Sequence, residues 1–295
     1  VSDSYRKARL DQVRATQNAD GGWGYFAGRH SWLEPTCYAL LALQAETDAE
    51  SKAAFARGWK LMRSWQLPEG GWRPAEVVPA ASWVSALCVL LHQLEGVHDG
   101  QYAKGLAWLV GMRGSEGSLF ERAVNLVKRL PVEYDRRWKG WPWSPDASSW
   151  VEPTALSLLA LKKARAVGLA EVGERIVEGE RMLVDRRCGD GGWNYGNRRV
   201  LETELPSYPE TTAVALVGLQ ACKLIPLESA VAVGVRQHRE TQSRLAKAWL
   251  SVALQVHGQD TSPVVTDTPL SREVIVTALE AIAAKQGGVE CLRVG

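Results

Sequence analysis

Gln17-Asn18-Ala19-Asp20-Gly21-Gly22-Trp23-Gly24-Tyr25-Phe26 is the segment on which the fold turns. Its Gly-Gly-Trp core recurs as Gly70-Gly71-Trp72 and as Gly191-Gly192-Trp193. A variant, Gly140-Trp141-Pro142-Trp143, lies between the second and third copies. Trp23 and Trp72 are 49 residues apart and Trp143 and Trp193 are 50 apart, a spacing that accommodates one helical hairpin with its loops. The 71 residues from Trp72 to Trp143 mark an enlarged unit or one that has lost its signature. A glycine pair lets the chain turn tightly, including at positive φ, and the tryptophan after it is placed to cover the end of the preceding helix. Repetition at four corners favours that structural role over four separate ligand platforms.

The repetition extends to both sides. Gln17 and Gln66 each stand four residues before the first glycine of their pair, where an amide with donor and acceptor groups can tie one turn to its neighbour. Arg57-Gly58-Trp59-Lys60-Leu61 and Lys104-Gly105-Leu106-Ala107-Trp108-Leu109 precede later corners. Downstream stand Ser31-Trp32-Leu33-Glu34-Pro35-Thr36, Ser82-Trp83-Val84, Ser149-Trp150-Val151-Glu152-Pro153-Thr154 and Ser207-Tyr208-Pro209-Glu210-Thr211-Thr212. The unit therefore reads as helix, glycine-tryptophan turn, short loop, aromatic-acidic entry and apolar helix. Periodicity predicts helices over 4–16, 35–46, 52–65, 83–94, 101–112, 118–129, 153–166, 171–186, 211–223, 241–256 and 272–285. Pro35 and Pro153 suit a first helical turn, where a missing N–H costs nothing.

Composition narrows the function classes. The 295 residues suffice for one large core, and a 46% hydrophobic and 23% charged make-up is that of a globular chain. A net charge of +2 without a block of like charges gives no footprint for nucleic acid. Five cysteines without disulfide-rich spacing, and an opening Ser2-Asp3-Ser4-Tyr5-Arg6-Lys7 that is no apolar leader, set a reducing cytoplasm as the expected compartment. The most apolar runs, 156–161 and 212–219, are too short to span a bilayer, although an amphipathic helix lying on a membrane surface reads like a core-facing one.

With these corners and entries, residues 4–222 resemble the terpene cyclase and protein prenyltransferase superfamily, above all the glutamine-tryptophan repeats of squalene and hopene cyclases. The best matches are Gln17 through Trp23 and Gln66 through Trp72. The resemblance implies an all-α fold, an α/α toroid of five or six helical hairpins with an outer ring around an inner one. It is expected to form one domain over residues 1–295, with a divergent helical C-terminal portion.

In such a toroid the second helix of each hairpin belongs to the inner ring, which gives Glu34, Glu152 and Glu210 a common location at one end of the central cavity. Each is a helix-capping carboxylate in the plain reading. The sharper reading is a carboxylate cluster that shares a proton or binds a cation. Cyclases of this resemblance start a carbocation with a strong acid on an Asp-x-Asp-Asp signature, but this chain has no adjacent pair of aspartates. The zinc prenyltransferase branch implies Asp, Cys and His ligands. Asp185-Arg186-Arg187-Cys188 has one residue too many for that spacing and no matching histidine. His30, Glu34 and Cys37 offer ligand types within eight positions, yet His30 precedes the helix, so no metal and no other cofactor is expected. Arg136-Arg137, Arg186-Arg187 and Arg198-Arg199 could form an anionic rim, with solvated helix ends as the plainer reading. Phosphate-loop, dinucleotide and nucleophile-elbow signatures are missing.

Trp32, Trp141, Trp143, Trp150 and Tyr208 are the aromatic candidates for contact with a ligand. The expectation is a terpene-cyclase-like ring without the standard chemistry, binding an apolar or isoprenoid-like small molecule or a protein partner. The alternative is a divergent cyclase that uses Glu34, Glu152 or Glu210 as its acid.

Overall fold

The computed structural model describes residues 3–116, 134–168, 172–200, 203–259, 261, 269–284 and 288–294. The helix expected at 118–129 lies outside them. Eleven α-helices are present among the described residues: α1 (Asp3–Ala15), α2 (Leu33–Leu43), α3 (Ala49–Ser64), α4 (Ser85–Leu94), α5 (Gly100–Gly111), α6 (Val151–Ala166), α7 (Gly173–Asp185), α8 (Pro209–Gly218), α9 (Glu228–Glu240), α10 (Arg244–Val256) and α11 (Val274–Ala284). No described helix is long and apolar enough to cross a membrane.

Burial separates two kinds of helix. In α2 every residue from Pro35 to Leu43 is buried, and α8 is buried from Thr211 to Gly218, so these helices are enclosed on all sides. In α3 the buried residues are Ser51, Ala54, Gly58 and Met62, one stripe of a helix that faces water with the rest. Accordingly α2, α4, α6, α8, α10 and α11 form an inner ring, each packed on the next, and α11 packs on α2 to close it. Outside, α3, α5 and α7 pack on α2, α4 and α6, α9 packs on α8 and α10, and α1 packs chiefly on α11. This is the all-α toroid that the repeats imply.

The corners explain why the repeat is written as it is. The first glycine of each pair has positive φ, 93° at Gly21, 105° at Gly70 and 93° at Gly191, a conformation that side chains with a Cβ rarely adopt. Gln17 Nε2 donates to the carbonyls of Gly21 (2.7 Å) and Ala54 (2.8 Å), and Gln66 Nε2 does the same to Gly70 and Gln101, both at 2.8 Å. Each amide thus fastens its own turn to the next outer helix. At the third copy Arg187 takes that place, with Nε on Gly191 O (2.8 Å) and Nη2 on Ser229 Oγ (2.9 Å). Trp23, Trp141 and Trp193 donate their indole N–H to Val13, Leu109 and Leu183 at the ends of preceding helices (2.6, 2.8 and 2.7 Å). The backbone N–H of Trp23, Trp72, Trp141 and Trp193 is satisfied by a hydroxyl of the inner helix, from Thr36, Ser85, Thr154 and Thr212. That hydroxyl lies thirteen residues after the tryptophan in the first three units and nineteen after it in the fourth. The fourth loop holds a small hairpin, Arg199–Val200 paired antiparallel with Thr203–Glu204.

Thr154→Val keeps the shape of the side chain and removes the hydroxyl, leaving the buried Trp141 N–H without an acceptor. The expected cost is about 1–3 kcal/mol, read as a lower urea midpoint with an unchanged slope. An unchanged midpoint would show that the hydroxyl does not fix the corner.

The other described helices lie within three residues of their expected bounds, and two elements depart further. Helix α9 was not expected at all: Glu228–Glu240 carries Val231, Val233, Val235 and Gly234, residues of weak helix propensity, and has no glycine-tryptophan signature. Packing decides here, because Ala230, Val231, Val233 and Gly234 are buried where α9 meets α8 and α10. The helix expected at 211–223 ends at Gly218, followed by Ala221 at φ 55°. Lys162 Nζ takes the carbonyls of Gly218 (2.8 Å) and Gln220 (2.6 Å) that a longer helix would have bonded within itself.

Candidate functional site

One repeated hydrogen bond positions the candidate site. An N–H at or just before the start of an inner helix donates to the carbonyl two residues after a neighbouring corner tryptophan. Leu33 N reaches Pro74 O (2.8 Å), Trp83 N reaches Trp143 O (3.1 Å), Val151 N reaches Tyr195 O (3.1 Å) and Val274 N reaches Tyr25 O (3.0 Å). This bond sets Trp143 against Trp83 and Tyr195 against Trp150, while Trp32 N on Trp23 O (2.9 Å) folds Trp32 back beside Tyr25 of its own unit. The rings pair accordingly: Tyr25 with Trp32 at 5.8 Å between centroids, Trp83 with Trp143 at 5.0 Å, and Tyr195 with both Trp150 (6.4 Å) and Tyr208 (5.3 Å).

The residue after each entry position is then equivalent around the ring: Glu34 on α2, Glu152 on α6 and Glu210 on α8, with Val84 and Ile275 in the corresponding places before α4 and on α11, and Glu34 and Glu210 are near enough to act electrostatically on Glu152. All three glutamates are half-buried. Glu34 accepts a hydrogen bond from the Tyr25 hydroxyl (2.5 Å), and Glu210 accepts one from Ser243 Oγ (2.8 Å) at the cap of α10. Among the described residues Glu152 has no hydrogen-bond partner, and no Lys or Arg forms an ion pair with any of the three.

The electrostatics follow from that shortage of positive charge. Burial, reinforced by repulsion from Glu34 and Glu210, pushes Glu152 up to about 8, so its carboxyl keeps a proton at neutral pH. Burial also raises Glu34, against the lowering effect of the Tyr25 hydrogen bond. Tyr25 itself is pushed up by burial and by Glu34, which keeps its hydroxyl a donor. One turn below Glu34 lies Tyr38, 1% exposed, its ring edge-on to Trp249 of α10 at 5.7 Å. The Tyr38 hydroxyl is buried without a hydrogen-bond partner among the described residues, and the charges of Glu152 and Glu34 act on it.

The structure therefore brings Glu34, Glu152 and Glu210 into one electrostatic group beside Trp32, Trp150 and Tyr208, with Trp143 half-buried against Trp83. Trp141 does not join them. It is fully buried, its indole N–H is spent on Leu109 O, and the Arg175 guanidinium covers its ring at 3.4 Å, so it belongs to the corner. Cys37 meets Cys88 Sγ of α4 at 3.9 Å, away from the exposed His30 in the loop. Among the described residues no three His, Cys, Asp or Glu side chains are grouped to hold a metal ion. Of the arginine pairs, Arg186-Arg187 is spent inside the fold: Arg186 is buried, paired with Glu116 at 2.8 Å, and Arg187 fastens a corner. Tyr25, Tyr195 and Tyr38 are the members of the group that the repeats did not single out. The first two carry a readable signal, the shared step Gly-Gly-Trp-x-Tyr at 21–25 and 191–195.

The sequence matches no known family model and no curated protein. The architecture is similar to solved structures. A type II terpene cyclase, MstE from Scytonema, superposes with a TM-score of 0.55 at 17% identity over 85% of this chain and 71% of that one. The chain has a terpene cyclase-like fold. Also similar are a protein from Actinoplanes, with a TM-score of 0.56 at 19% identity over 85% of this chain and 73% of the other, and the α-mannanase BT2949 of Bacteroides thetaiotaomicron. The mannanase reaches a TM-score of 0.52 at 12% identity, over 94% of this chain and 93% of its own. The terpene cyclase-like ring here thus presents its glutamates on the inner-helix entries.

Proposed function

We propose that the aromatic mouth of the ring binds an apolar, isoprenoid-like molecule and does not start an acid-initiated cyclisation. The observation that carries this reading is the state of Glu152. Glu152 follows Trp150 by two residues, and the Trp150 ring meets Tyr195, which meets Tyr208; a half-buried carboxyl beside these rings that stays protonated adds no charge, so an apolar chain can lie against it. The same protonation argues against cyclase chemistry. Raised from 4.5 to about 8, Glu152 is a weaker acid than an ordinary glutamate. A shift of that size adds roughly 5 kcal/mol to the cost of giving its proton to an alkene. Glu34 is shifted in the same direction. A structural neighbour supports an elongated isoprenoid ligand: a variant of MstE is in complex with geranylgeranyl dihydroxybenzoate, its substrate, at 17% identity over 86% of this chain and 72% of that one, with a TM-score of 0.55.

The cyclase reading stands second, because aromatic faces around the carboxyls are what a carbocation needs. Purified protein is to be titrated with geranylgeraniol, with tryptophan fluorescence as the readout, and incubated with squalene, oxidosqualene and geranylgeranyl diphosphate. The expected result is saturable binding without product. A cyclic product that disappears in Glu152→Gln would overturn the binding-only reading.

A further inference from the structure

We infer that the corner loops form a rim that docks on the surface of a lipid bilayer, and that the ring takes up its apolar ligand there. The docking stands on the exposure of the loops themselves. Only the uptake of a ligand rests on the reading of the mouth as an apolar binding site.

The exposed apolar side chains are gathered at one end of the ring. Among the described residues eleven large hydrophobic side chains are exposed, and all but Val167, Val177 and Leu224 stand on the corner loops or just before α11. Each of these stretches supplies at least one: Phe26 in the first loop, Val77 in the second, Trp150 in the third, Val200 in the fourth and Leu270 ahead of α11. Val77, 87% exposed, has almost no contact with the rest of the chain. Hydrogen bonds join the five stretches into one rim. Leu33 N on Pro74 O ties the first loop to the second, Trp83 N on Trp143 O the second to the third, and Val151 N on Tyr195 O the third to the fourth. Val274 N on Tyr25 O ties the start of α11 to the first. Val167 and Leu224, by contrast, follow the far ends of α6 and α8, whose starts belong to the rim.

Apolar side chains concentrated on one face mark a contact, and three features select a bilayer as the partner. Trp150, Tyr195 and Tyr208 are exposed and combine an apolar ring with a polar tip, the make-up of side chains that sit at the level of lipid headgroups. Charges of both signs stand among the apolar tips: Glu76 precedes Val77, Arg199 precedes Val200, and Glu273 bridges to Phe26, all three of them exposed. A contact between proteins clears charge from its core, whereas headgroups accept apolar tips scattered among charges. Finally, an isoprenoid alcohol dissolves in a bilayer and not in water, so a mouth resting on lipid receives it without an aqueous passage.

Flotation of the full chain with phosphatidylcholine vesicles, with and without phosphatidylserine, tests the rim. Saturable binding is expected, equal on both compositions and insensitive to salt, because the rim carries charges of both signs. Phe26→Asp combined with Val77→Asp should weaken it by about ten-fold or more, since charges replace two apolar tips. Val167→Asp combined with Leu224→Asp should leave it unchanged. All four side chains are exposed, so both double variants are expected to keep the parental melting temperature and the parental affinity for geranylgeraniol. Val77→Asp alone should show part of the loss and serves where the double variant does not fold. Absence of vesicle binding while geranylgeraniol still binds overturns the docking and leaves the apolar site standing; a dimer that Val77→Asp dissociates would then assign the rim to a second copy of the chain. Binding confined to phosphatidylserine vesicles and lost in salt, or weakened equally in the two double variants, also overturns it. Vesicle binding without geranylgeraniol binding overturns the apolar site and keeps the docking.

Discussion

Gly105→Ala is expected to destabilise the protein by about 2–3 kcal/mol, although alanine is the better helix former by about 1 kcal/mol. Gly105 lies inside α5, and a Cβ there would come within 2.4 Å of the ring of Trp72, which occupies the groove that the missing side chain leaves. Trp72 cannot retreat: it is fully buried and its backbone N–H is held by Ser85 Oγ at 2.8 Å. The same pairing recurs at Gly58 beneath Trp23 and Gly179 beneath Trp141, where the Cβ would come within 2.7 Å of the ring in both cases. Gly111 in the same helix meets nothing within 4 Å, so Gly111→Ala is the internal control and should be neutral or slightly stabilising. Urea unfolding of both variants separates the effects. Equal midpoints for the two would mean that helix propensity, and not the corner, governs the position.

The second large effect is a pH dependence located at Glu152. In the unfolded chain this carboxyl titrates near its ordinary value of 4.5, and in the folded chain near 8. Below 4.5 both states hold the proton. Between 4.5 and 8 the folded state keeps a proton that the unfolded state has released, so stability falls as pH rises, and the loss is complete above 8. The full shift corresponds to a ceiling of roughly 5 kcal/mol, which partial contact with solvent reduces to about 2–3 kcal/mol. Glu152→Gln removes that term. The variant should match the parent near pH 4, exceed it by about 2–3 kcal/mol at pH 9, and show a flatter profile between. Glu34 contributes in the same direction, so some slope remains. Denaturant titrations at pH 4, 6, 7.5 and 9 read this directly; a variant profile parallel to the parent's would place the proton elsewhere.

How much of this was legible in the sequence depends on whether a residue acts within its own unit or across the ring. The corners were: Gly21, Gln17 and Trp23 act on residues close by or one hairpin away, and their copies announce them. The hydroxyls of Thr36, Ser85 and Thr154, thirteen residues after their tryptophans, are as regular as the glycines, but serine and threonine are too common for that spacing to stand out. Arg187 hides behind a change of residue type, doing with a guanidinium what Gln17 does with an amide. Helix α9 lacks the signature and depends on tertiary burial. At the mouth, the common position of Glu34, Glu152 and Glu210 follows from the repeat, whereas the charge repulsion among them depends on closure of the ring. The Tyr38 hydroxyl is the least legible. Its sequence position reads as one more apolar residue of α2, and its lack of a partner exists only once α6 and α10 are in place.

The seam of the ring has a consequence for synthesis on the ribosome. Arg9 of α1 pairs with Glu280 of α11 at 3.0 Å, both buried, across 271 residues of chain, and Arg244 of α10 holds the same carboxylate at 2.7 Å. Until Glu280 has been made, α1 and α2 emerge with the faces meant for α11 uncovered, and the buried Arg9–Glu280 pair cannot form. The early hairpins must therefore wait in a partly wetted state for the last inner helix. Such long-range closure slows folding and keeps the apolar faces of α1 and α2 exposed until it occurs.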